Sequence, residues 1–197
     1  MANEYATLAE LKAMRKITDA TSDTALQSAL TRASRAIDTK TSRRFYLDGS
    51  ATARTYNPYG RTTSDARGQI LLVDDIGSTT GLVVETGTTS GGWTAVTTYE
   101  THPDNAITLG RPITGILLAS GVWPYGSARV RVTARWGWPA VPDEIVQATL
   151  ILANRLYLRK DSPEGIAGSS DWGAIRLSRW DPDVEALVGP YVLPGFG

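Results

Sequence analysis

The chain has 197 residues, 42% of them hydrophobic, and contains no cysteine. That length can bury one substantial core, and the missing cysteines exclude disulfides, thiolate metal sites and cysteine nucleophiles. Twenty basic residues balance twenty acidic ones, so the whole chain lacks the electrostatic footprint of a nucleic-acid binder and any DNA contact must be local.

The first element is predicted over residues 7–16, "TLAELKAMRK". Thr7 followed by Glu10 forms a capping-box pattern, and Leu8, Leu11 and Met14 share one helical stripe. The opening "MANEYATLAELK" lacks a basic head before an apolar run, and no window approaches the roughly 20 apolar residues of a membrane span. The expectation is a soluble chain, made in the cytoplasm, without membrane contact. A second helix starts near Ser22 or Asp23. Leu26, Leu30, Ala33 and Ile37 give it spacings of four, three and four, and Arg43 and Arg44 sit near its negative end, so it is expected to run to about Arg44.

From Leu47 to Ala140 the texture changes to threonine, glycine and short β-branched runs. Strands are predicted at 53–57, 69–74, 81–86, 93–99, 113–119 and 129–136, with "GRTTSDARG", "GSTTG", "TGTTSGG" and "PYGS" as turns between them. The last strand is the clearest, because Val130, Val132 and Ala134 alternate with Arg129, Arg131, Thr133 and Arg135. "ARWGWPAVPDEI" then hands the chain to a third helix, with Pro142 in its first turn and Asp143 and Glu144 at its positive end. That helix carries Ile145, Ala148, Leu152 and Leu156 on one stripe, while Val146, Leu150, Ile151, Ala153, Tyr157 and Leu158 spread apolar surface around it. Such a helix needs cover on most sides, from its own domain or from neighbouring subunits.

"DSPEGIAGSSDWG" is expected to be a flexible loop and "AIRLSRW" an extended stretch. "DPDVEALVGPY" follows as a short helix capped by Asp181 and opened by Pro182. The fold class is therefore α+β: a small helical bundle of three to four helices with a large antiparallel β insert between the second and third. Residues 1–46 and 141–197 form the helical body with a C-terminal arm, and 47–140 form the insert.

Catalytic patterns are thin. His102 is the single histidine and sits before a proline as a strand-end or loop residue. Asp74 and Asp75 are adjacent, so a strand points them to opposite faces and they read as turn-capping acids rather than an acid–base pair. "TGTTSGGW" lacks the Lys-Ser/Thr ending of a phosphate loop and reads as a hairpin. No spacing suggests a metal site, and no cofactor is expected.

Trp93, Trp123, Trp136 and Trp138 suit core or subunit-interface packing, with stacking on bases or sugars as the alternative. Arg32, Arg35, Arg43 and Arg44 make the best local DNA candidate, with an inter-subunit salt-bridging or solvated face as the other reading. Tyr157 and Leu158 are expected at a subunit interface, together with Trp136 and Trp138. Ile175, Leu177, Trp180, Val184 and Leu187 are the apolar anchors of a segment too short to be stable without something to pack against.

The order of these pieces resembles the head-to-tail connector, or adaptor, proteins of long-tailed bacteriophages. The matching stretches are "YATLAELKAMRKITD", "ASRAIDTKTSRRFY", "GGWTAVTTYETHPDNA", "GRPITGILLASGVWPYG", "VRVTARWGWPAVPDEIVQATLILANRLYLRKDSP" and "GAIRLSRWDPDVEALVGPY". The first helix and the Trp-Gly-Trp-Pro joint carry most of the likeness, and the large β insert departs from the smaller connectors. The resemblance implies a non-enzymatic virion protein at the neck, commonly in twelve copies around a channel for genomic DNA. Its implied partners are the portal protein and the next neck or tail-completion protein. The C-terminal segment, roughly 174–197, is expected from its glycine- and serine-rich lead and its apolar anchors to dock on the portal or an adjacent ring, the other reading being that it folds back on its own helical body and completes the core. Two other classes stay open: a different neck or tail-completion protein, and an enzyme or carbohydrate-binding module with a ligand beside Trp93, Trp123 and Tyr99. A solid core in the insert would count against the last.

Overall fold

The computed structural model describes residues 3–159, 166–167, 175–176 and 181–193. The chain divides into two compact units, one of residues 1–43 with 141–197 and the other of residues 44–140.

In the first unit, α1 spans Leu8–Arg15 and begins with the predicted capping box: the Glu10 backbone donates to the Thr7 hydroxyl while the Glu10 carboxylate accepts from the Thr7 N–H. α2 spans Asp23–Thr41 and stops short of the expected end. Ser42 adopts a left-handed conformation that terminates the helix, which leaves Arg43 and Arg44 beyond it. α3 spans Asp143–Leu158 and α4 spans Pro182–Val188, capped by the Asp181 carboxylate and followed by a 3-10 turn at Gly189–Tyr191.

The core of this unit gathers Leu11, Leu26, Leu30, Ala33 and Ile37 with Ile145, Ala148, Leu152 and Ala153, and with Val184 and Val188 of α4. The buried hydroxyls of Ser34, Thr41 and Thr149 each donate to the carbonyl one turn earlier, and Ser34 also accepts from the Tyr5 N–H at 3.1 Å. Ile166–Ala167 (β8), within the stretch expected to be a flexible loop, pairs antiparallel with Ile175–Arg176 (β9), within the stretch expected to be extended. Two residues are too few for a period-two pattern to mark β8.

The second unit is a seven-stranded antiparallel sheet. Its strands are β1 (Thr52–Tyr56), β2 (Thr62–Asp65), β3 (Gly68–Thr88), β4 (Gly91–Ala95), β5 (Glu100–His102), β6 (Ile113–Leu118) and β7 (Arg129–Trp136). β7 has the predicted limits, with Val130, Val132, Ala134 and Trp136 turned inward. The two strands expected at 69–74 and 81–86 are one 21-residue strand, and "GSTTG" is not a turn. Register shifts after Leu72, Ile76 and Ser78 let β3 change partners along its length.

Its first part pairs with β2 and β6, and its second part with β7 and β4; β7 in turn pairs with β1 and β6 with β5. The sheet is thus two four-stranded halves that share one long strand. A single core fills it, from Leu71, Ile76, Ile113 and Ile116 to Trp123, Val130, Val132 and Trp136. The short strands β2 and β5 fall where the sequence reads as turn and loop.

Candidate assembly surfaces

The Trp136-Gly137-Trp138 joint is built into the second unit from both of its ends. Trp136 donates its indole N–H to the Thr52 carbonyl at 2.8 Å, and its own carbonyl accepts from the Asp48 N–H at 2.8 Å. Trp138 donates to the Asp75 carboxylate at 3.0 Å and packs on Phe45 with ring centroids 5.2 Å apart. Gly137 takes φ +106°, donates its N–H to the Asp75 carbonyl, and lies so close to Tyr46 that a Cβ would sit 1.8 Å from the Tyr46 oxygen. No other residue fits there. Gly77 faces the same joint, where a Cβ would meet Leu47, Trp138 and Gly137 at under 3 Å.

Trp136 and Trp138 are therefore buried, and of the two readings for them, core or interface, their packing is the core one. Asp75 is an indole anchor rather than a turn cap. Asp74, on the opposite face as expected, accepts from the Arg54 guanidinium at 2.7 Å and from the Tyr56 hydroxyl at 3.1 Å. Burial is the main cause that pushes the Tyr56 hydroxyl far above its ordinary pKa, with the Asp74 charge adding to it, so this phenol stays protonated as a donor.

Trp123 is also fully buried, its indole donating to the Gln69 carbonyl at 3.1 Å and its backbone N–H to the Gln69 side chain at 2.6 Å. Trp93 is half-covered, with the Arg131 guanidinium 4.4 Å above its ring and that guanidinium ion-paired with Glu85 at 2.7 Å. A shallow surface groove is lined by Thr98, Tyr99, Glu100, Ala119 and Ser120. Neither Trp93 nor Trp123 opens into it. His102 closes β5 as a strand-end residue, its Nδ1 3.3 Å from the Arg67 guanidinium. Among the described residues no three His, Cys, Asp or Glu side chains converge as a metal site, and no helix is long and apolar enough to cross a membrane.

In the first unit the expected interface residues separate. Tyr157 is half-buried and committed to its own chain: its hydroxyl donates to Ser22 at 2.9 Å and the Arg15 guanidinium lies 5.0 Å from its ring. Ser22 consequently precedes α2 without capping it through its side chain. Leu158, one residue on, is 50% exposed at the end of α3, and Met14 of α1 is 42% exposed.

The four arginines do not share a helix face. Arg32 is exposed on α2 and Arg35 lies one turn along, paired with Asp38 at 3.2 Å and donating to the Asn3 carbonyl. Arg43 and Arg44 come after the left-handed cap, and Arg44 falls in the second unit.

Of the C-terminal anchors, Val184 has no exposed surface, and Val188 beside it is equally buried. Residues 181–193 fold back on the helical unit. Arg155 pairs with Asp181 at 3.5 Å, Lys40 with Glu185 at 2.9 Å, Tyr191 donates to Glu144 at 2.9 Å, and the Leu193 N–H donates to the Thr41 carbonyl at 3.0 Å. Leu187 is partly exposed. Ile175 lies in β9, while Leu177 and Trp180 fall outside the described residues.

No family model and no curated protein matches the chain. Solved structures do. A chain in the neck of an empty GTA particle, computed with C6 symmetry, matches 98% of this chain over 92% of its own length, with TM-score 0.54 and 20% identity. This chain has the fold of a particle neck component. A chain in the virion of a native gene transfer agent (GTA) particle gives TM-score 0.55 at the same identity and coverage. At 20% identity the likeness is one of fold, and it extends through both units rather than through the helices alone, since it covers almost the whole chain.

Proposed function

We propose that the chain is a structural subunit of a virion neck, a head-to-tail connector or adaptor that forms a ring of identical copies, twelve in number, between the portal and the next neck or tail-completion protein. One observation carries the reading: the fold of a neck chain spans 98% of this one, insert included. The solid core of the insert and the internal burial of Trp123 favour this over a carbohydrate-binding module or an enzyme.

A closed ring needs two different faces that meet on successive copies. In the helical unit, exposed Leu158 belongs to one of them. Arg32 and Arg35, together with Arg43 and Arg44, serve as loose phosphate contacts for genomic DNA in the channel, where tight binding would impede its passage. Leu187 and the stretch holding Ile175, Leu177 and Trp180 dock on the portal or an adjacent ring, while Val184 holds the base of that segment to the body. Assembly takes place in the host cytoplasm before the particle is complete.

The test is native mass measurement of the purified chain alone and after mixing with portal rings. Ring formation with stoichiometric portal binding is expected. A monomer that ignores the portal contradicts the reading, and a ring that ignores the portal but binds tail components favours the tail-completion alternative.

A further inference from the structure

The two halves of the β unit treat their edges differently. The half built from β2, β3, β6 and β5 ends in strands of four and three residues. Its margin is also laced with charge, since Arg67 pairs with Asp65 at 3.3 Å and with Asp104 at 2.9 Å. Short, charged edges are how sheets avoid joining other sheets. The half built from β1, β7, β3 and β4 lacks these devices. Both of its edges are five residues long, β4 ("GGWTA") has no charge or proline, and the single charge of β1, Arg54, is turned onto Trp136 at 4.2 Å and onto Asp74.

The backbone of β4 shows which groups are open. Val96 donates to the Val84 carbonyl at 2.8 Å and Glu85 stands opposite Ala95, so the alternation of antiparallel pairs turns the N–H and C=O of Ala95 away from β3. Thr94 and Ala95 are exposed, as are Thr52, Ala53 and Thr55 of β1. Trp93 lies against Gly87 and under Arg131, which holds β4 flat on the sheet.

The occupant follows from direction and face. Successive antiparallel pairings make β1 and β4 run opposite ways at the two ends of one four-stranded half. A neighbour related by a ring rotation therefore presents its β1 antiparallel to this β4, and the ladder continues without a break. Glu85 pairs with both Arg131 and Ala95, and Arg131 with Thr55, so Ala95 and Thr55 stand on the same face of the half and Ala53 joins them two residues away. We propose that β4 of one copy pairs edge to edge with β1 of the next, extending this half-sheet from subunit to subunit. Main-chain bonds supply such a contact, and two different edges make it heterologous. The inference rests on the ring reading of the chain.

Two sets of variants test it, read by native mass and by non-reducing gels on the full chain with portal rings present. Ala95→Pro removes an N–H that β3 does not use, so the monomer is expected to melt as the parent does while ring mass is lost. The parent has no cysteine, so Ala95→Cys combined with Ala53→Cys or Thr55→Cys reports β4 meeting β1 directly. A covalent ladder ending at the ring number is expected for a double variant and only monomer for each single one. Rings without a ladder in either double variant, or dimers from single variants, overturn the edge pairing while leaving the ring intact. A parent chain that forms no ring at all removes the ring reading itself, and this inference with it. Should Ala95→Pro fail to fold, the ladder decides.

Discussion

The helical unit and the β unit are held together by different means. In the helical unit, apolar side chains fill the centre and the margins are sewn by separate side-chain pairs: Lys12 with Asp23, Arg15 with Asn154, Lys40 with Glu185, Arg155 with Asp181. Each such pair near the surface contributes little, on the order of 1 kcal/mol or less, and none is indispensable. In the β unit, long-range backbone ladders carry the order. A few positions, Gly137 above all, permit approaches that no other residue allows. The first unit should yield by degrees and the second should fail at single points.

The sharpest way to break that contrast is Gly137→Val. A side chain there collides with the Tyr46 carbonyl and is forced to positive φ, so a loss above about 4 kcal/mol is expected in chemical denaturation followed by tryptophan fluorescence. A change within about 1 kcal/mol would mean the joint relaxes freely, against the packing described.

Removing residues 181–197 tests the other unit. Val184 and Val188 together bury side chains whose removal costs roughly 3–6 kcal/mol, so the helical signal should melt earlier and less cooperatively. Unchanged melting with lost portal binding would instead mark the whole segment as a detachable arm.

Leu158→Asp sharpens the comparison differently. Because Leu158 is half-exposed, the variant should keep its melting behaviour within about 0.5 kcal/mol yet assemble poorly, as size-exclusion chromatography would show. Tyr157→Asp should destabilise the monomer by about 2 kcal/mol, since it breaks the contact with Ser22 and strips the ring from Arg15.

The smallest effect is expected at Thr7→Ala, about 1 kcal/mol for a lost helix cap. The same cap is pH-sensitive. Hydrogen bonds from the Thr7 backbone and hydroxyl hold the Glu10 carboxyl below its ordinary range, so its contribution is present above the usual glutamate pKa of about 4.3 and is lost as pH falls through the lowered folded value. Thr7→Ala removes the hydroxyl bond and keeps the backbone donor, so it should shrink that acid limb only in part, whereas Glu10→Gln should remove it.

The parts legible in the sequence were those with local causes. The capping box of α1, the alternation of β7 and the Asp181-Pro182 start of α4 all depend on neighbours a few residues away, and the structure has each of them. The long β3 was not legible, because Gly77, Gly81 and three hydroxyl residues read as a turn, whereas tertiary pairing draws them into a bulged strand. The end of α2 depends on one residue, Ser42, taking a conformation that serine rarely signals.

The candidate surfaces were harder. Tryptophan composition says that Trp136 and Trp138 pack, and only the Thr52 carbonyl and the Asp75 carboxylate, distant in sequence, say that they pack inward. Burial of Val184 likewise depends on the meeting of α4 with the helical core. The open backbone of Ala95 leaves no mark in residue type at all.

The most direct test of the neck assignment is a reconstruction of the particle's neck from virions whose copy of this chain carries a short tag. The account predicts a closed ring of tagged copies immediately beneath the portal and surrounding the DNA channel, with each β unit abutting the next. Tag density elsewhere in the particle, or a neck complete without this chain, would contradict it.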